Sequence, residues 1–109
     1  MPNFPNPFAS NYQRRMTEKE LLRAIRQEIA GEQEAIYLYE AHADSCGNAL
    51  AAKVFRDIAA EEKVHVHELQ TLLYMLDKEE YQASNTGASE VMELAGKDGD
   101  KLQGPSVKN

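Results

Sequence analysis

A glutamate and a histidine three residues apart, Glu62 and His65, stand where the second long apolar run of the chain calls for hydrophobic side chains. Phe55, Ile58, Leu69, Leu72 and Leu76 follow steps of three and four, one stripe of a helix, and positions 62 and 65 complete it. A carboxylate is not cheaply buried in such a stripe unless a cation or a proton meets it. The pattern asks for a partner, and a metal ion is the obvious one. The same exception occurs upstream, where Leu22, Ile25, Ile29, Ile36, Tyr39 and Ala43 share one stripe and Glu32 interrupts it.

Hard carboxylate oxygens bridge two metal ions and balance their charge, while a neutral imidazole caps each one. Carboxylate-bridged di-iron sites in four-helix bundles draw one Glu from each of two helices and a Glu-x-x-His motif from each of the other two. This chain supplies half of that set, Glu32 with Glu62 and His65, and a symmetric dimer supplies all of it. Glu62 is the expected bridging carboxylate. The competing reading is a polar layer that fixes the register of a coiled coil, but such a layer usually needs one Asn or Lys. Three acidic or imidazole groups exceed that need.

The elements that must position these residues are two helices. Thr17-Glu18-Lys19-Glu20 is a capping box, so the first helix begins near Glu18 and runs to about Asp44 or Ser45. Gly47 supplies a stop and Asn48 a cap for a second helix over roughly Ala49 to Leu76. At 1.5 Å per residue each is about 40 Å long, and the short link makes them an antiparallel hairpin. Glu32 lies fourteen residues before Cys46 and Glu62 fourteen after Asn48, so folding back brings both to one level. Beyond the hairpin, Tyr81 to Gly87 reads as a polar linker, and Ala88 to Ala95 as a short amphipathic helix closed by Gly96. The expected organisation is a flexible arm over 1–16, a helical domain over 17–96 and a flexible tail over 97–109. Phe4, Phe8 and Tyr12 in the arm could dock on a neighbour.

A two-helix hairpin leaves one flank of each helix wet, so the expectation is an all-α chain that pairs by a twofold axis into a four-helix bundle. The 109 residues, 42% of them hydrophobic, allow one domain at most. No apolar or aromatic run is longer than Leu72 to Leu76, far short of the roughly 20 residues of a membrane span. A net charge of -6 leaves no basic patch for phosphates, which argues against nucleic acid and suits attraction of small cations. The single Cys46 excludes an intramolecular disulfide and a four-cysteine metal site. A cytoplasmic protein is the simplest expectation.

Other candidates divide by position. Tyr39 shares the seam with Glu32 and could hydrogen-bond the site or donate an electron, or simply pack there with its hydroxyl at the edge. His42 and His67, and Glu34, Glu61 and Glu68, fall at or beyond the edge and read as solvated. Met75, Met92 and Cys46 read as packing residues.

With these residues placed, the chain resembles the ferritin-like superfamily, and most closely the encapsulated ferritins. The likeness covers about Thr17 to Leu94, including Glu32-x-Glu34, Tyr37-Leu-Tyr39-Glu40 and Glu61-Glu62-Lys63-Val64-His65. The resemblance implies a ferroxidase centre formed between two chains, with two Fe ions per dimer interface. It also implies assembly into an open ring, commonly a decamer, inside an encapsulin shell. By the same resemblance Glu32, Glu62 and His65 are iron ligands, Tyr39 a near-site tyrosine and Glu34 an outer entry-site carboxylate. Where the family often has a further Glu and a Trp near the entry region, this chain has Gly31 and Leu38. The expected function is oxidation of Fe(II) to Fe(III), feeding iron storage in an encapsulin nanocompartment, with the tail from Lys97 as tether or targeting peptide, or else a linker truncated from a fusion with the shell protein. The alternatives are a rubrerythrin-like di-metal peroxidase and a non-catalytic helical oligomerisation module.

Overall fold

The computed structural model describes residues 14–96, which form three helices, α1 (Glu18–Ser45), α2 (Ala49–Leu76) and α3 (Lys78–Ala95). The expected helix limits of the hairpin are met. Thr17 accepts from the Glu20 backbone at 3.2 Å while the Glu20 carboxylate accepts from the Thr17 N–H at 2.9 Å, completing the capping box. Arg14 then clamps both Glu20 oxygens at 2.7 and 2.8 Å, and this guanidinium holds the Glu20 carboxyl down at about 2. At the turn, Gly47 takes φ +69°, a conformation that carries a steric cost for any side chain. Asn48 Oδ1 accepts from the Ala51 N–H at 2.9 Å and starts α2.

Packing between α1 and α2 is centred on Ile25, Ile36 and Ala43 of α1 and on Ala59, Val66 and Leu73 of α2. The α1 stripe is the one its spacing predicts. The α2 stripe is not: its enclosed positions lie at steps of seven beside the expected one. Phe55, Ile58 and Leu69 are half-buried, and Leu72 and Leu76 remain 42% and 41% exposed. The physical reason is geometric, because one neighbouring helix can enclose only the stripe that faces it. Ala59, at 1% exposure, lets the two backbones approach, and the apolar stripe beside it is left on the flank. Met75 is 76% exposed, and Met92 and Cys46 are exposed too, so the expectation that these three pack inside the fold fails for the single chain.

Two ion pairs cross the opposite flank, Lys63 with Glu40 at 2.9 Å and Arg56 with Asp44 at 3.1 Å. One flank of the hairpin is thus charged and paired, and the other is apolar and holds Glu62 and His65.

The hairpin up to Asp77 is one compact unit and α3 belongs to another. The expected linker over Tyr81 to Gly87 is helical instead: α3 is continuous from Lys78 and eighteen residues long. The chain breaks at Asp77, whose backbone is extended (φ -134°, ψ 102°). After it, Glu79 and Glu80 fill the first turn and favour the positive end of the helix dipole. Polar residues with no proline do not end such a helix, and Ser84 donates back to the Tyr81 carbonyl at 2.6 Å within it. Gly96, at φ +53°, follows its end as expected. Residues 1–13 and 97–109, which hold most of the expected arm and the whole of the expected tail, lie outside the described residues.

Candidate metal centre

Three side chains converge on the apolar flank, Glu32 from α1 and Glu62 and His65 from α2, each offering one ligand atom within 4.8 Å of the others. His65 Nδ1 lies 3.5 Å from Glu32 Oε2 and 3.7 Å from Glu62 Oε1. The level match that the turn predicts for Glu32 and Glu62 is therefore realised within a single chain. Two ligands of one first-row cation at about 2.0–2.2 Å can lie up to about 4.4 Å apart, so small side-chain rotations suffice for the three to share an ion.

The electrostatics are those of an uncompensated pair. Glu32 Oε2 is buried and has no hydrogen-bond partner, and no Lys or Arg pairs with Glu32 or Glu62 among the described residues. The Glu62 carboxyl beside Glu32, to which a protonated Glu32 would donate, pushes Glu32 above the ordinary carboxylate range. Burial adds to that rise, and His65 opposes it. Neutral imidazole with two carboxylates carries a charge of two minus, which one divalent cation balances. The donor set, hard oxygens with one imidazole, suits Fe, Mn or Zn. Glu32 and Glu62 are about a fifth to a quarter exposed, whereas His65 is half exposed, so the cluster opens on the flank that the hairpin itself leaves uncovered.

Tyr39 and Glu34 stand outside this cluster. Tyr39 is half-buried one heptad beyond Glu32, its ring 6.1 Å from that of Phe55. Glu34 is half-buried near the back of α1. His67 is exposed. His42 is exposed as well, yet its ring meets Phe55 edge-on at 6.2 Å. That aromatic grouping escapes a reading in which Phe55 is only one apolar residue of a stripe. The signal was available, since Tyr39 and Phe55 stand seven residues from Glu32 and Glu62, on the turn side of each.

A hairpin of two 28-residue helices, with a Glu on one and Glu-x-x-His at the same level of the other, has the residue types that half of a ferritin-like carboxylate bundle supplies. Comparison with known proteins gives the same class: the rubrerythrin family model matches residues 6–73. The chain is 37% identical over 105 residues to the encapsulin nanocompartment cargo protein EncC of Myxococcus xanthus, covering 86% of this chain and 81% of that one. It therefore belongs to the rubrerythrin family of ferritin-like proteins, within the group of encapsulated ferritins. It is also 38% identical over 91 residues to a ferritin-like–encapsulin shell fusion protein of Pyrococcus furiosus, of which it spans 26%. The crystal structure of the encapsulated ferritin domain from the same organism superposes with a TM-score of 0.78 at 37% identity, covering 87% of this chain and 97% of that one. No helix among the described residues is long and apolar enough to cross a membrane.

Proposed function

We propose that this protein is a ferroxidase subunit that oxidises Fe(II) to Fe(III) at a di-iron centre shared between two copies of the chain, supplying iron for storage inside an encapsulin shell. The observation that carries the reading is the buried Glu32 Oε2, which has no hydrogen-bond partner, beside Glu62 and His65. A carboxylate pair with no cation of its own is costly unless it binds one. Each chain's pair balances one divalent ion, and two chains meeting at their apolar flanks bring two such half-sites together. Leu38, Leu72 and Leu76, each about two-fifths exposed, are the side chains that a second copy would cover. In this reading Glu32, Glu62 and His65 hold the iron, with Glu62 bridging. Tyr39 lies beside the reacting layer, and Glu34 is an outer cation contact.

Two Fe(II) ions surrender one electron each, which together with two protons reduces one dioxygen to hydrogen peroxide. The chain's own groups bind and orient the ions, exclude water on the side of the seam, and buffer charge through the Glu32 carboxyl. The encapsulin partner and the nanocompartment location rest on the names of the relatives, and a ring of ten copies on the family resemblance. A peroxide-reducing, rubrerythrin-like role remains the second reading, favoured by the family model; the single cysteine leaves electron delivery to another protein.

Anaerobic Fe(II) titration followed by air, on wild type and Glu32→Ala, tests the reading. Expected is fast formation of Fe(III) absorbance with a break near one iron per chain, lost in the variant. Oxidation at the protein-free rate in both would refute a ferroxidase. Fast oxidation with hydrogen peroxide but not with air would favour the peroxidase.

A further inference from the structure

Phe55 occupies on α2 the position that Tyr39 occupies on α1, one heptad toward the turn from the ligand layer. Its ring contacts Tyr39 in a tilted pair (6.1 Å, 44°) and His42 in an edge-to-face pair (6.2 Å, 60°). Tyr39 and His42 are one turn apart on α1, so the Phe55 ring is wedged in the notch between them.

The direction of each side chain gives this wedge a consequence. Helical side chains lean toward the N-terminus of their own helix. On α1 that leans Tyr39 back toward Glu32. On the antiparallel α2 it leans Phe55 away from Glu62 and toward the turn, which puts its ring behind Tyr39, with His42 behind both. Phe55 is half-buried and His42 exposed, so the brace runs from the seam outward to solvent.

We infer that Phe55, backed by His42, is a positioning residue that holds the Tyr39 ring tilted toward the Glu32 and Glu62 layer and bars its rotation toward the turn. Its consequence for iron oxidation rests on the ferroxidase reading above; the ring geometry does not. The brace needs an aromatic plane, because a branched aliphatic residue of similar bulk offers Tyr39 no face to pack against. Aromatic pairs of this kind change an unfolding constant by roughly two- to twelvefold in a double-mutant cycle.

The test has one arm without iron and one with it. In metal-free protein with ring-labelled tyrosine, the Tyr39 signals are assigned through Tyr39→Phe. Phe55→Leu is expected to move them toward the positions of a free tyrosine at unchanged helicity, Phe55→Tyr to keep them displaced, and His42→Ala to give an intermediate shift. His42 is exposed, so that variant keeps the fold even if Phe55→Leu does not. With Fe(II) and air, Phe55→Leu is expected to lower kcat by the same factor as Tyr39→Phe with KM unchanged, and the double variant to be no slower than Tyr39→Phe alone. Tyr39 signals that stay in place in both Phe55→Leu and His42→Ala would overturn the inference. So would a Phe55→Leu loss that multiplies fully with that of Tyr39→Phe. Failure of wild type to oxidise iron would count against the ferroxidase reading alone, because the metal-free arm judges the brace independently.

Discussion

Replacing Glu32 by Gln should make the metal-free protein more stable while abolishing its response to metal. The magnitude follows from the pair. Two carboxylate charges with ligand atoms within 4.8 Å repel by about 3.5 kcal/mol at an effective dielectric constant of 20 and about 0.9 kcal/mol in bulk water. Their side chains are 25% and 19% exposed, so water screens the pair, and His65 offsets part of the repulsion. A net cost of about 1–2 kcal/mol near neutral pH is the result. Gln keeps the shape, removes one charge and offers Glu62 an amide donor. Urea unfolding followed by helical circular dichroism, with a chelator present, should show a higher midpoint for Glu32→Gln at the same slope. The pH dependence fixes the sign. Glu32 is raised above its ordinary 4.5, so the fold favours its protonated form. The Glu32 contribution is then fully present below 4.5 and is lost as pH rises through its folded pKa. The advantage of Gln should therefore be absent below pH 4.5 and complete near neutrality. A divalent metal at a hundred times its Kd should add about 2.7 kcal/mol to wild type and nothing to the variant, so that the two curves cross. A lower midpoint for Glu32→Gln at neutral pH, or a gain that persists unchanged below pH 4.5, would refute the reasoning and mark the cluster as a structural polar layer.

Two neighbouring leucines should respond oppositely. Leu73→Ala, at 1% exposure in the seam, should cost the hairpin about 2–5 kcal/mol in urea unfolding. Leu72→Ala, on the open flank, should leave the seam intact and instead raise the concentration at which sedimentation detects dimers. At the start of α1, Glu20 is held at about 2 by Arg14. Its contribution is present above the ordinary 4.5 and is lost as pH falls toward 2. Acid unfolding of Glu20→Gln should lack that segment of the wild-type pH dependence, and equal acid profiles for the two proteins would count against the Arg14 clamp.

The hairpin was legible because each of its boundaries is carried by local chemistry. Thr17 and Glu20, then Gly47 and Asn48, satisfy helix ends through contacts three residues long. Glu32, Glu62 and His65 were legible for a related reason: a charge in an apolar period stands out, and the short turn fixes which charges share a level. Which α2 stripe the seam encloses was not legible, because Ile58, Leu69 and Leu72 look more like core than Ala59 does. Only the partner helix decides, and it selects the stripe whose small alanine permits close approach. The start of α3 was missed for the converse reason. A run of polar residues resembles a linker, yet between Ala49 and Ala95 the helical backbone is interrupted only at Asp77. The wedge of Phe55 between Tyr39 and His42 needs the direction in which side chains lean across an antiparallel pair, and composition does not carry it.

The misjudged stripe bears on the proposed site. No polar or charged residue is fully buried among the described residues, so none of the three candidate ligands is enclosed in the seam. The three candidate ligands lie beside it, where Glu32 and Glu62 are shielded enough to feel each other and His65 is open enough to meet a second molecule. A site confined to one chain would gain by moving inward, away from competing water. One shared by two chains must instead lie on the surface that both can cover. In the lone hairpin that surface combines exposed leucines with an unrelieved carboxylate pair, and the two act on pairing in opposite directions. The leucines favour pairing by burial, while bringing four carboxylates together disfavours it. Under the proposed function a divalent ion per chain would remove the second term and leave the first, so metal affinity and dimerisation should strengthen each other by the same factor.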